Sequence, residues 1–218
     1  MNLSHPDSNA TADTSQPKQG GRLPVSRYVL FFLPLVAGAS ADLISKSYVF
    51  EKFFDVGRAN AQLPQFAHWW YEGILGIQTS TNPGALFGIG KGLSSVFVVF
   101  SVIALIAILI WLFAAKAACD RWLTFSLGLI SGGIIGNFYD RIGLGYLPTY
   151  PAEIKTNVRD WILFRLEGVP FFDPWPNFNI ADSLLVTGAV MLFIHACFFA
   201  APSESAEKSA ELEHPAVK

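Results

Sequence analysis

The 218-residue sequence is short of charge and of cysteine. Charged residues make up 15% and hydrophobic residues 52%, which leaves too little polar surface to cover a water-soluble globule. The composition is that of a membrane protein. Lysine and arginine (15) nearly balance aspartate and glutamate (17), for a net charge of −2. No basic stripe interleaves with aromatics, so there is no footprint for nucleic acid. The two cysteines, Cys119 and Cys197, lie beside or within apolar runs without metal-ligand spacing, which argues against both a disulfide framework and a zinc site. His68 and His195 stand in unrelated contexts and no nucleophile elbow occurs, so Ser/His/Asp catalysis has no support; His195 reads as an ordinary helix residue. The chain shows no internal repeat and no second domain.

What is present is a series of apolar runs. Residues 1–26 are polar and lack the periodicity that builds a core, as do residues 202–218; both are expected to be disordered tails. The run over 28–50 follows two arginines and could be a secretory signal ending at Ala39-Ser40-Ala41. Its apolar character resumes after Asp42, however, giving about 23 residues, enough to span a bilayer, and favours a retained helix in which Pro34 is tolerable. Asp42 and Lys46 stand four apart on one face, as an ion pair near the interface or as part of a site. Residues 51–91 form a long connection whose Phe53, Phe54, Phe66, Trp69, Trp70 and Tyr71 suit the headgroup layer. It ends in Asn82-Pro83-Gly84, a tight-turn signal. Spans are expected over 93–115 and 122–139, joined by a short polar turn and therefore antiparallel neighbours. The second of these carries Gly128, Gly132 and Gly136, a stripe that admits close helix approach.

The last span, 181–200, is entered through Phe178-Asn179-Ile180-Ala181-Asp182-Ser183. A carboxylate at the mouth of a membrane helix is costly unless it faces protein or water. Asp182 is therefore a functional candidate, and also a candidate helix cap together with Asn179 and Ser183. Asn137, Asp140 and Arg141 cluster at the exit of the third span. Between the third and fourth spans, Asp160 sits in an alternating stretch that suits a short strand, whereas Asp173 precedes a proline in a turn. Four spans put both termini on one side and both long connections on the other. Basic residues are about as numerous on either side, so the positive-inside rule decides little; their density near the short segments favours termini inside. In either orientation Asp42, Asn82, Asn137, Asp140, Arg141, Asp160, Asn179 and Asp182 fall at one membrane face.

Five blocks carry a resemblance: Asp42-Leu43-Ile44-Ser45-Lys46, Asn82-Pro83-Gly84-Ala85-Leu86-Phe87, Gly132 to Arg141, Val158-Arg159-Asp160-Trp161, and Phe178 to Ser183. In this order they resemble the lipoprotein signal peptidases, the signal peptidase II family, over roughly residues 28–200. The resemblance implies an all-α membrane protein of four transmembrane helices with a small extracytoplasmic β-rich cradle and an interfacial segment. It implies an aspartic endopeptidase of the bacterial cytoplasmic (inner) membrane, monomeric, without cofactor or metal, with cytoplasmic termini and its site at the extracytoplasmic face. The partners it implies are membrane lipid and diacylglyceryl-modified prolipoproteins, cut just before the lipidated cysteine. Carried over by motif, Asp160 and Asp182 would be the catalytic pair. Asn82, Gly84, Asn137, Arg141, Asn179 and Ala181 would hold the substrate or orient the acids, with Asp42, Lys46 and Asp140 in support.

Those residue types suit the chemistry, because two carboxylates brought close cannot both ionise easily and one keeps a proton. Two features depart from the family pattern: longer connections after the first helix, between Arg141 and Asp160, and over 164–176, which make Asp173 a competitor for the first catalytic position although Val-x-Asp-aromatic matches at Asp160; and Leu86 where a small residue is expected. Two other readings compete. A small transporter or proton carrier would also cluster acids at helix ends, although it calls for polar residues near mid-membrane, and the second span has no charge. A non-catalytic lipoprotein-binding protein would suit the aromatic connections.

Overall fold

The structure is a computed structural model of the chain and describes residues 22–54, 67–84, 92–170, 172–173 and 175–198. The expectations for the tails over 1–21 and 202–218, for the last two residues of the span 181–200, for Phe66 and for Leu86 fall outside the described residues. The described part comprises α1 (Val25–Phe53), β1 (His68–Tyr71), β2 (Leu75–Asn82), α2 (Ser94–Leu109, prolonged by a π-helical turn over Ile110–Ala114), α3 (Arg121–Arg141), β3 (Val158–Phe164) and α4 (Ile180–Phe198). The first helix thus begins just inside the segment expected as tail, and Pro34 lies within continuous helix.

Three of these helices are long and apolar enough to cross a membrane: α1, α2 with its π turn, and α4. The third expected span, α3, is of spanning length at 21 residues but less apolar, for a visible reason. It lies between α1 and α4, and its inward positions are small or polar: Thr124, Ser126, Gly128, Ser131, Gly132, Gly133 and Gly136 are all buried. A helix shielded by protein has no need of an apolar exterior, and small residues let its neighbours approach. In contrast α2 has no buried residue; it joins the bundle through Phe97, against Arg141 of α3, and through Leu112 of the turn that prolongs it.

The buried positions of α1, namely Phe31, Gly38, Ala39, Asp42, Lys46, Val49 and Phe50, recur at helical spacing on one face. Its far end carries Val49 and Phe50 into a core with Ile77, Tyr146 and Trp161 beneath the sheet. The other end places Phe31 with Leu112, Ala118 and Leu127. The sheet is antiparallel in the order β1-β2-β3, with Ser80 opposite Asp160 and an irregularity between Ile77 and Ser80. The stretch around Asp160 is a strand, as its alternation suggests, and the aromatic connection contributes a hairpin as well as surface. Phe178 then adds a bridge to β3: the Trp161 and Ile162 amides donate to its carbonyl at 3.0 and 2.8 Å, and its own amide donates to Ile162 O at 3.2 Å. This bridge sets the start of α4 beside β3.

Candidate active site

The bridge at Phe178 brings two acid-bearing segments together, because Asn179 and Asp182 come just after it and Asp160 lies two residues before its partner Ile162. Asn179 Nδ2 donates to Asp160 Oδ1 at 2.7 Å. The same residue caps α4: the Asp182 amide donates to Asn179 Oδ1 at 2.9 Å, and the Asn179 amide donates back to Asp182 Oδ2 at 3.3 Å. This reciprocal pair satisfies amides at the helix start. Asp182 therefore takes part in the cap while its other oxygen, Oδ1, accepts from Asn137 Nδ2 at 2.8 Å. The capping role raised by the sequence is thus observed, and it leaves the second carboxylate oxygen of Asp182 to Asn137.

Behind the acids lies a buried ionic network. Lys46 Nζ is 2.7 Å from Asp42 Oδ2 and 3.1 Å from Asp140 Oδ2, with all three side chains 0% exposed, and it donates to Asn137 Oδ1 at 3.0 Å. Asp42 Oδ1 accepts from the Ala181 amide at 2.9 Å, so α1 helps to hold the first turn of α4. Asp140 also receives Arg159: Nε and Nη2 both reach Oδ1 at 2.8 Å, and the Arg159 amide donates to Oδ2 at 3.1 Å. The guanidinium lies over the rings of Phe50 and Tyr146. Sequence reading did not single out Arg159, although it precedes Asp160 in the quoted block. The available signal was strand alternation, which turns 159 away from 160 and toward α1 and α3.

On the open side, Arg141 Nη2 donates to Gly84 O at 2.7 Å and its guanidinium stacks over Phe97, 4.5 Å from the ring centre. Gly84 N donates to Asn82 Oδ1 at 3.0 Å, so Asn-Pro-Gly is a turn closed by its own side chain. A groove of about 790 Å³ runs between α2, α3 and α4 past these groups. Asn82, Gly84, Asn137, Arg141 and Asp182 line its polar end, and Phe100, Ile134, Leu185 and Val186 line its apolar end. All eleven residues named from the sequence therefore gather at one end of the bundle. Asp173 does not join them: it accepts from Arg165 Nε at 2.5 Å and from the Gly168 amide at 2.9 Å, pinning a surface turn. The Arg165 hydrogen bond holds its carboxyl below the usual aspartate value.

The acids differ in setting. Asp160 is 2% exposed, and burial, reinforced by the Asp182 charge, pushes its proton affinity well above that of a free aspartate. Lys46 and hydrogen bonds from Asn179 and Asn82 pull the other way. Asp182 faces the groove. With one proton on Asp160, the negative charges of Asp42, Asp140 and Asp182 are matched by Lys46, Arg159 and Arg141. A second ionised acid would leave an unmatched charge at a site where solvation is poor. Asp182 thus lines the groove while Asp160 stands buried behind it, joined to it through Asn179.

A family model described as signal peptidase (SPase) II matches residues 35–198. The chain is 45% identical over 192 residues to a lipoprotein signal peptidase of Rhodopirellula baltica, covering 88% of this chain and 82% of that one. It is 34% identical over 136 residues to a lipoprotein signal peptidase of Geobacillus kaustophilus, covering 62% and 78%. Among solved structures, a bacterial membrane enzyme determined by the in meso method at 2.3 Å matches with a TM-score of 0.59 and 22% identity, over 90% of this chain and 96% of that one. That enzyme shares the fold.

Proposed function

Since the chain belongs to the signal peptidase II family, we propose that it is an aspartic endopeptidase that removes the signal peptide from diacylglyceryl-modified prolipoproteins, cutting just before the lipidated cysteine. The observation that supports this most is the joining of a buried Asp160 to a groove-lining Asp182 through Asn179, with Asn137 holding Asp182. The Asp182 carboxylate takes a proton from water as its oxygen attacks the scissile carbonyl carbon, and the Asp160 carboxyl donates its proton to the carbonyl oxygen. The resulting diol collapses: the C–N bond breaks, Asp182 passes its proton to the departing cysteine amine, and Asp160 recovers a proton from the diol. One water is consumed and both acids return to their starting states. Arg141 and the Asn82–Gly84 turn hold the substrate backbone at the polar end of the groove. The apolar end, open between α2 and its neighbours, keeps the acyl chains out of water.

In this reading α3 crosses the bilayer with the other three helices. Both termini are then cytoplasmic, the sheet lies over the outer face of the bacterial inner membrane, and one chain suffices for activity. Cleavage of a diacylglyceryl-modified prolipoprotein by the purified protein tests the proposal. Asp160→Asn and Asp182→Asn are each expected to lose at least a hundredfold in rate while remaining folded, and Asp173→Asn to cut like wild type. Failure of folded wild type to cut any of several lipidated precursors would sink the peptidase reading. Loss with Asp173→Asn but not with Asp160→Asn would reassign the first acid.

A further inference from the structure

At the end of the bundle opposite the acids, a second cavity of about 460 Å³ lies where the first turns of α1 and α3 meet α4. Its polar lining residues are Ser26, Arg27 and Arg121, whose side chains all carry hydrogen-bond donors. The Nε of Arg27 is buried and has no hydrogen-bond partner among the described residues. Among the described residues no carboxylate lines the cavity. The nearest one in sequence, Asp120, is committed elsewhere: one oxygen accepts from the Leu123 amide at 2.9 Å and the other lies 2.5 Å from His195 Nε2. The remaining wall is apolar, formed by Leu30, Phe125 and Met191, with the indole of Trp122 fixed by donation to Met191 O at 2.7 Å. Lipid-facing side chains such as Val29 and Leu33 continue the surface of α1 from there.

A buried guanidinium atom with no acceptor is costly, and two arginines sharing a concavity with no acid among the described residues repel each other. An anionic group with several oxygens offsets the repulsion between the two guanidinium groups, and an apolar floor running into the lipid-facing surface asks for a ligand with acyl chains. We infer that this cavity binds the phosphate of an anionic phospholipid, with Arg27, Arg121 and Ser26 on the phosphate oxygens and the chains along Leu30, Phe125 and Met191. The site is independent of the peptidase chemistry at the other end of the bundle.

The test uses the full-length protein in a neutral detergent, followed by thermal unfolding and by native mass spectrometry of retained lipid. Phosphatidylglycerol, phosphatidylcholine and inorganic phosphate are added in parallel. Phosphatidylglycerol is expected to raise the unfolding temperature and to remain bound, and phosphatidylcholine and free phosphate to do neither. In the Arg27→Gln/Arg121→Gln protein, phosphatidylglycerol binding should fall roughly tenfold or more. If the double variant unfolds on purification, Arg121→Gln alone, at an exposed position, is expected to lose about fivefold. Equal stabilisation of wild type and variant, equal binding of phosphatidylcholine, or stabilisation by free phosphate to the same extent would each overturn the assignment.

Discussion

Burial and the Asp182 charge both favour the protonated form of Asp160, so Asp160 keeps its proton where a free aspartate is already ionised. This fixes the sign of the pH dependence. In the proposed mechanism, as pH rises through the raised value, the proton that polarises the scissile carbonyl is lost and cleavage falls. A fall of kcat/KM on the alkaline side is expected; a profile that stays flat up to about pH 9 would remove the shared proton. Arg159 gives a different kind of prediction. It is 2% exposed and holds Asp140, which is 0% exposed, so Arg159→Leu leaves a buried cluster one negative charge in excess. The cost is expected at about 3–5 kcal/mol, read as a lower unfolding temperature in detergent. Arg159→Lys should recover part of it, because a single ammonium cannot reproduce the paired contacts.

Among the elements, α3 carries the tightest constraint. A Cβ added at Gly133 would stand 2.5 Å from the Ala181 carbonyl oxygen and 2.8 Å from Leu185 Cγ, whereas one at Gly132 would meet the backbone of α1 at 3.0 Å or more. Gly133→Ala must push α4 away at the residue that precedes Asp182, and so should lower cleavage by at least tenfold; Gly132→Ala, one position along, should be milder. Equal activity in the two would mean that α4 adjusts without moving the acid. Much of this level was legible in the sequence. Apolar length marks α1, α2 and α4, while α3 is visible through its small-residue stripe and its polar exit. The hairpin of β1 and β2 was not legible: Trp69, Trp70 and Tyr71 lie on an edge strand whose exposed face shows no alternation, and their aromatic content suggested a membrane-surface segment instead. In the site, the residue types announced themselves one by one. The bridge between Ile162 and Phe178, which brings Asp160 to Asn179, is a long-range pairing that no local pattern records, and Arg159 was hidden by its more conspicuous neighbour.

For the molecule as a whole, the reading turns on whether α3 crosses the bilayer. Its composition alone does not require it, since its buried face is small and polar, but its neighbours do constrain it. Asp120 at the start of α3 contacts His195 near the end of α4, while Asn137 near the end of α3 contacts Asp182 near the start of α4. The two helices therefore run antiparallel along most of their length, and if α4 crosses, α3 is carried across beside it. This places Cys119, exposed in the turn before α3, on the side opposite Leu147, which is 53% exposed in the connection after it. Two single-cysteine proteins separate the cases: Cys197→Ser, which retains Cys119, and Leu147→Cys in a background lacking both native cysteines. On intact spheroplasts a membrane-impermeant maleimide is expected to label the cysteine at 147 directly, and Cys119 only after permeabilisation. Labelling of both before permeabilisation would leave α3 on one side of the membrane. The opposite pattern would keep the crossing but invert the chain, placing the acids on the cytoplasmic face, where a secreted precursor would not yet have presented its processed bond.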